Sequence, residues 1–424
     1  MRATFSPRPL TRLATLLAVS LLAACSPSEP DQPVPAAAPP EPAAATAYQG
    51  ARLIIGDGSA ALENATFVVQ DGRFVAVGAA GTVQVPAGAS VVDLAGATVM
   101  PAIIDSHVHL TGERATLTED LRKRATYGIS AAFDMGTTGT DVMFEVRDEA
   151  APGLALMRSA GRGITAPEEG RSTVPHWVTT EEEARAAVRE EAARGVDIIK
   201  IWVDDRNGQY PKLTPELYGP IIDEAHANSL RVNAHIFTLD DAKGLLNSGL
   251  DAFAHGVRDQ DIDDEFVSLI QARPEVVLTP NLPGRGVATD LEWLRGTIPD
   301  AQLQGLIDAP AGDQAVIDAF GIQARNLKRL SEAGVTIVMG TDGNTPWGPH
   351  IEMEDMVASG MTPNAVLTAA TGNGAAFMRL EDRGTLAAGK VADFIVLDAN
   401  PLEDITNTRR IRQVFLAGTE VELN

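Results

Sequence analysis

Short apolar runs alternate with segments of helical periodicity along most of the chain. The segment 179–195 shows the helical pattern: Thr180 is a candidate N-cap, three Glu follow, and Gly195 ends the segment. Eight strand-like runs that alternate with helical segments over residues 99–383 predict a (β/α)8 barrel. An open, doubly wound sheet is the alternative, but no Gly-rich dinucleotide fingerprint follows the first strand. The eight strand-like runs end near His109, Met135, Arg162, Trp202, His235, His255, Pro280 and Asp342.

Both flanks of this region have a different, β-rich pattern. Residues 48–98 contain short runs of β-branched residues with Gly breaks, and Asp71-Gly72 between two such runs predicts a hairpin. Residues 384–424 return to strand and turn character. The two flanks together predict one small β-sandwich domain made from both chain ends. Residues 287–330 are mostly helical in pattern and are expected to form a cap or an extension of the seventh barrel helix.

The first residues resemble a bacterial lipoprotein signal peptide. Three Arg precede an apolar run of about a dozen residues, which is too short to span a bilayer. The run ends in LAAC, and Cys25 is the only cysteine of the chain. We expect residues 1–24 to be removed and Cys25 to carry a lipid anchor. An ordinary secretory signal with a chance cysteine is the alternative. Residues 25–47 are rich in Pro and Ala and predict an extended tether.

These features predict a bacterial cell-envelope protein bound to a membrane through its lipid. Ser26 follows the cysteine in place of the Asp that often marks inner-membrane retention, which favours the outer membrane over the periplasmic face of the inner one. A lone cysteine allows no disulfide within the chain.

Composition narrows the class of partner. Apolar residues make up 45% of the chain, which is ample for a large core, and the net charge is −23. A phosphate backbone requires a basic surface, so nucleic acid is excluded as an expected partner. The expected partner is a small molecule, and a homo-oligomer is possible.

Histidines and one aspartate lie at the ends of the predicted barrel strands. His107 and His109 are two residues apart, so they lie on the same face of their strand. His235, His255 and Asp342 each end another apolar strand. The C-terminal strand ends of a barrel meet on one face, where active sites form. For any one of these residues a structural role is equally good, but the set predicts a metal site.

Lys200 lies inside the apolar run VDIIKIWV. An ammonium group there costs several kcal/mol unless it is paired, deprotonated or chemically changed. A snorkelling lysine at a strand end is the simplest alternative.

Five motifs, in chain order, resemble those of the amidohydrolase superfamily: DSHVH, IIKI, NAHI, FAHG and MGTDG. The resemblance covers nearly all of the chain after the tether. It is strongest to the imidazolonepropionase-related branch, and within it to lysine-containing members such as Xaa-Pro dipeptidases and ochratoxinase-like amidases. Imidazolonepropionase itself lacks the strand-four lysine, so Lys200 argues against that activity.

The resemblance implies a site for two divalent metal ions. His107, His109 and Asp342 would bind the more buried ion, and His235 and His255 would bind the second. Mixed nitrogen and oxygen ligands suit Zn, with Mn, Co or Fe as alternatives.

The resemblance further implies that Lys200 bridges the two ions as a carbamate formed with CO2. A hydroxide between the metals would attack the scissile carbonyl of an amide, a peptide-like bond or a cyclic C–N bond. Asp342 would transfer the proton to the leaving amine, or act only as a ligand. Alternatives are deamination, hydrolysis of an ester, lactone or carbamate at the same site, and a non-catalytic binding protein of the envelope.

Candidate substrate residues lie in loops after the strands. Dipeptidase-like members often carry a Gly-Gly-His-Gly run after strand three, where this chain has Ala-Pro-Glu-Glu-Gly at 166–170, so their specificity is not carried over. Arg162, Arg171 and His176 are candidates to bind a substrate carboxylate, and an ordinary loop role is at least as good for each. Trp202 is a candidate for the pocket wall or a core residue, and Arg285 lies in the candidate pocket segment NLPGRG at 281–286.

Overall fold

The computed structural model describes residues 44–110, 112–149 and 151–423. The expected signal peptide, Cys25 and most of the expected tether lie outside these residues and stay predictions. The first strand begins at Thr46, so the last two residues of the expected tether belong to a sheet. Within the described ranges, no helix combines the length and apolar character needed to cross a bilayer.

Strands and helices alternate through the middle of the described chain. The strands are β1 (Thr46–Leu53), β2 (Leu62–Gln70), β3 (Arg73–Ala79), β4 (Ser90–Asp93), β5 (Thr98–Pro101), β6 (Ile103–Val108), β7 (Ile129–Asp134), β8 (Leu156–Ser159), β9 (Ile164–Thr165), β10 (His176–Trp177), β11 (Ile199–Val203), β12 (Val232–Ile236), β13 (Ala252–Ala254), β14 (Val277–Thr279), β15 (Thr336–Ile337), β16 (Phe394–Leu397), β17 (Ile411–Leu416) and β18 (Thr419–Glu420). The α-helices are α1 (Arg114–Thr126), α2 (Val142–Asp148), α3 (Glu181–Arg194), α4 (Pro215–Ala227), α5 (Leu239–Asn247), α6 (Asp264–Gln271), α7 (Asp300–Ile307), α8 (Gln314–Glu332), α9 (Gly348–Ala358), α10 (Pro363–Ala369) and α11 (Gly372–Phe377).

The strands near the two ends of the described chain form one sheet of eight strands. Its order is β18-β17-β16-β5-β1-β2-β3, and β4 pairs with β1. The sheet branches at β1, which pairs with β2, β4 and β5. The small β-sandwich domain that the sequence predicts for the two chain ends stays a prediction. Antiparallel pairing of β5 with β16 links the two ends of the chain. Aromatic rings fill its core: Tyr48 stacks on Phe67 at 4.7 Å, and Phe394 stacks on Phe415 at 4.4 Å.

Two parallel sheets contain the eight strands that the sequence predicts and two further short strands, β9 and β10. One has the order β6-β7-β8, and the other has the order β10-β9-β11-β12-β13-β14-β15. The α/β class with parallel sheets is therefore confirmed. The edges of the two sheets lie within hydrogen-bonding distance: Ser106 donates its N–H to the Met339 carbonyl at 2.9 Å, and Asp197 donates to Ser159 at 2.9 Å.

Local signals in the sequence placed several element boundaries correctly. The Thr180 side chain caps α3 and the Glu183 side chain completes a capping box, while Gly195 ends the helix with a left-handed φ of 77°. Asp71 and Gly72 both have positive φ between β2 and β3, as a tight hairpin requires. The helical prediction for residues 287–330 agrees with α7 and α8.

A buried ion pair connects α1 to strand β6. The Arg124 side chain is 0% exposed and contacts the Asp120 carboxylate at 2.7 Å and that of Asp105 at 3.4 Å. Asp105 also accepts hydrogen bonds from the N–H and the hydroxyl of Thr341, at 3.0 and 2.9 Å. Burial raises the pKa of Asp105 to about 6, although the Arg124 charge opposes the shift. Helix α1, strand β6 and the segment after β15 are thus held together by one charge network.

We predict that Arg124→Met destabilises the protein by about 3–5 kcal/mol, because the Asp105 carboxylate loses its buried partner. Urea unfolding measures the change. Arg122→Met on the same helix is the matched control, since Arg122 is exposed and pairs with Glu119 at the surface. Equal stability of the two variants would contradict the role given to Arg124.

Candidate metal centre

Three ligand atoms converge where β6 and the segment after β15 meet. Asp342 Oδ1 lies 3.2 Å from Nε2 of His107 and 2.9 Å from Nε2 of His109. The ligand atoms of these three residues all lie within 4.8 Å of one another. The His107 contact is short but lacks the alignment of a hydrogen bond. His109 Nε2 and Asp342 Oδ1 are hydrogen-bonded, whereas His107 Nε2 has no hydrogen-bond partner. Imidazole nitrogens and carboxylate oxygens that converge in this way can act together as ligands of one cation.

Two more histidines extend this cluster along the strand ends. The rings of His235 and His255 are 4.5 Å apart, and the rings of His107 and His255 are 5.8 Å apart. His255 Nε2 lies 3.5 Å from Oδ2 of Asp342. Asp342 therefore faces histidines with both of its oxygens. Partial desolvation favours the protonated carboxyl, but the facing histidines outweigh it and hold the pKa of Asp342 well below its usual range.

Lys200 lies beside this cluster in β11. Its side chain is 1% exposed, and Nζ has no hydrogen-bond partner. The neighbouring contact is the ring of Trp202, with Nζ 5.5 Å from its centroid. Burial lowers the pKa of Lys200 to about 7, and the Asp342 charge only partly opposes this. The neutral amine is therefore far more accessible here than in an exposed lysine.

The nitrogen atoms of this cluster fit a metal ion better than a hydrogen-bonded core. Both ring nitrogens of His107 and of His255, together with Lys200 Nζ, are buried without a hydrogen-bond partner. Each such group costs about 1–3 kcal/mol if nothing satisfies it. Burial lowers the pKa of His107 to about 3, and it lowers the pKa values of His235 and His255 as well, so the imidazoles stay neutral. Neutral imidazole and carboxylate are the donors that divalent cations bind.

Unusual backbone geometry coincides with the cluster. His255 and Asp342 have φ values of 72° and 54°, in a backbone region that residues other than glycine rarely adopt. Gly340 permits a close approach beside them, because a Cβ at this position would lie 2.8 Å from the backbone nitrogen of His107.

A cavity of about 400 Å³ opens next to the histidines. His109, His235, Asp342, Trp202 and Thr137 are among the residues that line it. A larger cavity of about 890 Å³ is lined by Thr341 and Gly343, the chain neighbours of Asp342, but not by the candidate ligands His107, His109, His235, His255 and Asp342. The smaller cavity is the candidate active site, because it contains the groups able to do chemistry.

Of the predicted substrate residues, Trp202 and Arg171 line this cavity. The other three contact protein partners. Arg162 donates to the Val174 carbonyl at 2.6 Å, and Arg285 pairs with Glu354 at 2.6 Å and Asp355 at 2.7 Å. His176 lies 2.8 Å from Glu191, which also pairs with Arg194. His176, Glu190 and Glu191 form a second group of candidate ligand side chains. In this group the Arg194 guanidinium supplies the positive charge beside Glu191.

The structure adds an acidic and a basic residue that the sequence analysis missed. Asp204 Oδ2 lies 3.0 Å from Nε2 of His235 and 2.6 Å from Nη1 of Arg206. Arg206 also contacts Glu168 at 3.0 Å. Asp204 shares the alternation of Lys200 and Trp202, so the strand pattern contained the signal needed to find it.

Comparison with known proteins identifies the family of the chain. Residues 98–421 match the model of the amidohydrolase family, so the chain belongs to that family. The resemblance noted in the sequence is thereby confirmed, and the family supports hydrolysis of amide or other C–N bonds.

The relatives include enzymes of the expected branch. Imidazolonepropionase of Deinococcus radiodurans is 26% identical over 392 residues, which is 85% of this chain and 92% of the relative. Ochratoxinase of Aspergillus niger is 26% identical over 413 residues, covering 83% of this chain and 81% of the enzyme. The solved structure of a candidate prolidase from Bifidobacterium longum superposes with a TM-score of 0.73 at 27% identity, covering 89% and 94% of the two chains.

We predict that Gly163→Ala destabilises the site by overpacking, at a cost of about 1–3 kcal/mol. A Cβ at Gly163 would lie 2.1 Å from the Trp202 ring, which packs beside Lys200. Thermal unfolding and metal analysis measure the effect. Gly139→Ala is the control, since its Cβ meets nothing closer than 3.7 Å. An unchanged melting temperature in Gly163→Ala would show that Trp202 is not confined as described.

Proposed function

We propose that the protein is a binuclear metal-dependent hydrolase that cleaves an amide, a peptide-like bond or a cyclic C–N bond in a small molecule. The observation that carries the proposal is the group of buried, unpartnered nitrogens of His107, His255 and Lys200 beside Asp342. Family membership supports the reaction class, and the cavity of about 400 Å³ suits a small substrate.

The proposal includes a closed (β/α)8 barrel. Ten parallel strands lie in two sheets, and backbone hydrogen bonds connect neighbouring edges at Ser106–Met339 and Asp197–Ser159. Without the two-residue strands β9 and β10, eight strands remain for the barrel. An isolated parallel bridge between Val108 and Gly343 supports the same closure. In a barrel, the loops after the strands form the active site, which agrees with the positions of the histidines.

The candidate ligands form two groups, and each group would hold one of two cations. His107 and His109 share Asp342 as a neighbour and would hold one, while His235 and His255 would hold the other. Lys200 as a carbamate would supply one oxygen to each. Zn is the proposed metal, because imidazole and carboxylate ligands suit it. Two such ions supply positive charge that lowers the pKa of bound water and polarises the scissile carbonyl.

The chain's own residues would then orient the substrate and move the proton. Asp342 is open to the cavity and faces three histidines, so its carboxylate is placed to accept a proton from the attacking water. It would deliver that proton to the leaving nitrogen. Trp202 forms one wall, and the ring excludes water from the neighbourhood of Lys200.

The names of the relatives indicate a range of substrates for this branch, including an Xaa-Pro dipeptidase and an ochratoxinase. N-acyl amino acids, dipeptides and lactams are therefore the first compounds to test. Turnover of an ester, lactone or carbamate alone would instead support the alternative hydrolysis at the same site. Stoichiometric binding of ligand without metal or turnover would support a non-catalytic binding protein.

We predict that Lys200→Ala loses metal and hydrolysis together. The wild-type protein should hold about two metal equivalents per chain, and the variant should hold markedly fewer because the bridging ligand is gone. Protein loaded with ¹³C-bicarbonate should show a carbamate carbon resonance that Lys200→Ala lacks. Lys328→Ala, an exposed lysine paired with Glu332, is the control. Full metal content and full hydrolysis in Lys200→Ala would refute the bridging role.

We predict that Asp342→Asn lowers kcat by about 10²–10⁴-fold, because the amide cannot accept the proton. Metal analysis accompanies the kinetics, since Asp342 also contacts the ligand histidines. Asp261→Asn is the control, as Asp261 pairs with Arg325 at the surface. A fall in kcat only in proportion to lost metal would assign Asp342 the role of a ligand and no more.

A further inference from the structure

A second arginine lies close to the candidate metal centre. Arg258 follows β13, three residues after His255, and its N–H donates to the Phe237 carbonyl at 2.9 Å. Phe237 comes directly after β12 and its ring lies 5.9 Å from the Arg258 guanidinium carbon. The Arg258 side chain therefore lies near the end of β12, which contains His235, and near the end of β13, which His255 follows.

Within the described part of the chain, the Arg258 guanidinium has no ion-pair partner, and the Phe237 ring is the protein group that its charge contacts. Its Nε and Nη2 atoms are buried and make no hydrogen bond. Among the described residues, no carboxylate lies within 4.0 Å of it, whereas Arg206 contacts both Asp204 and Glu168. A buried, unpaired guanidinium is costly and rare unless a ligand completes it.

The charges around Arg258 all belong to the candidate site. Asp342, Asp204 and Arg206 are the charged groups that act on it, and its burial lowers its pKa. In return its positive charge lowers the pKa values of Lys200, His235 and His255. The charge of Arg258 therefore acts on the groups proposed to perform the hydrolysis.

The sheet order puts two arginines on either side of His235. Arg206 follows β11, His235 lies in β12, and Arg258 follows β13, with the three strands adjacent in that order. Arg206 also lines the 400 Å³ cavity. A guanidinium donates two parallel N–H groups that match the two oxygens of a carboxylate.

We propose that Arg258, with Arg206 beside it, is the receptor for a carboxylate on the substrate, next to the scissile bond. This inference rests on the proposed function and narrows its substrates to N-acyl amino acids and dipeptides, in which the leaving amine carries a carboxylate. The unpartnered Nε and Nη2 atoms donate to that carboxylate, while Arg206 contributes further positive charge from the opposite side.

The test compares two substrates that differ only in the carboxylate. The metal-loaded protein is first assayed against N-acetyl-L-amino acids, and the best of these is paired with the N-acetyl amine that lacks its carboxyl group. Arg258→Met should lower kcat/KM for the N-acetyl amino acid by about 100-fold, the loss expected for a charge-assisted hydrogen-bonded pair. Its kcat/KM for the neutral analogue should stay within about threefold of the wild-type value. Arg258→Lys should recover part of the loss.

A second measurement is independent of turnover. Titration calorimetry with the free amino acid and with the corresponding amine measures binding to wild type, Arg258→Met and the control Arg325→Met. Arg325 is exposed and pairs with Asp261. The amino acid should bind wild type and Arg325→Met with the same affinity and bind Arg258→Met about tenfold more weakly or worse.

The outcomes separate the two proposals. Equal hydrolysis of both substrates by the wild type, or equal losses on both in Arg258→Met, would overturn the carboxylate receptor while the hydrolase proposal stands. Loss of metal and of the carbamate resonance in Arg258→Met would likewise show that Arg258 supports the metal centre instead. If neither substrate is hydrolysed, calorimetry decides the receptor by itself, and absence of amino-acid binding to the wild type overturns it.

Discussion

Burial of nitrogen atoms without hydrogen-bond partners is the constraint on which this structure depends. Lys200 Nζ in β11 and the ring nitrogens of His107 in β6 and of His255 directly after β13 are buried without hydrogen-bond partners. Together their desolvation would cost several kcal/mol, a large share of the stability of an ordinary domain. Cations bound by these nitrogens, as proposed, would remove that cost, so metal binding and folding are expected to be linked.

The residues that pack against the candidate site help to fix the positions of its side chains. The Asp105 carboxylate accepts hydrogen bonds from Thr341, which precedes Asp342, and Arg124 of α1 neutralises its charge. Left-handed backbone at His255 and Asp342 needs such support, because the strain persists only where neighbouring contacts fix it. The packing of α1 is therefore part of the geometry of the site.

Much of this arrangement follows from local patterns in the sequence. Period-two alternation identified the strands, and the positions of His107, His235, His255 and Asp342 at strand ends identified one face. Capping chemistry correctly gave the ends of α3, since Thr180 and Gly195 act within a few residues of their partners. The motifs around the histidines also led to the correct family.

The remaining features depend on partners distant in the chain. Nothing in the helical pattern of α1 shows that Arg124 is buried beneath Asp105, nor that Arg162 and Arg285 would meet acidic or carbonyl partners rather than the cavity. Arg258 reads in sequence as an ordinary loop residue after FAHG. In the described structure no carboxylate lies within 4.0 Å of it, and its Nε and Nη2 atoms have no hydrogen-bond partner. Only the three-dimensional arrangement shows this.

The most direct measurement is a high-resolution crystal structure of metal-loaded protein grown with bicarbonate. The account predicts two anomalous peaks, one near His107 and His109 and one near His235 and His255, with density for a carboxylated Lys200 reaching both. Density that ends in a plain ammonium at Lys200, in a crystal with both metals bound, would contradict it.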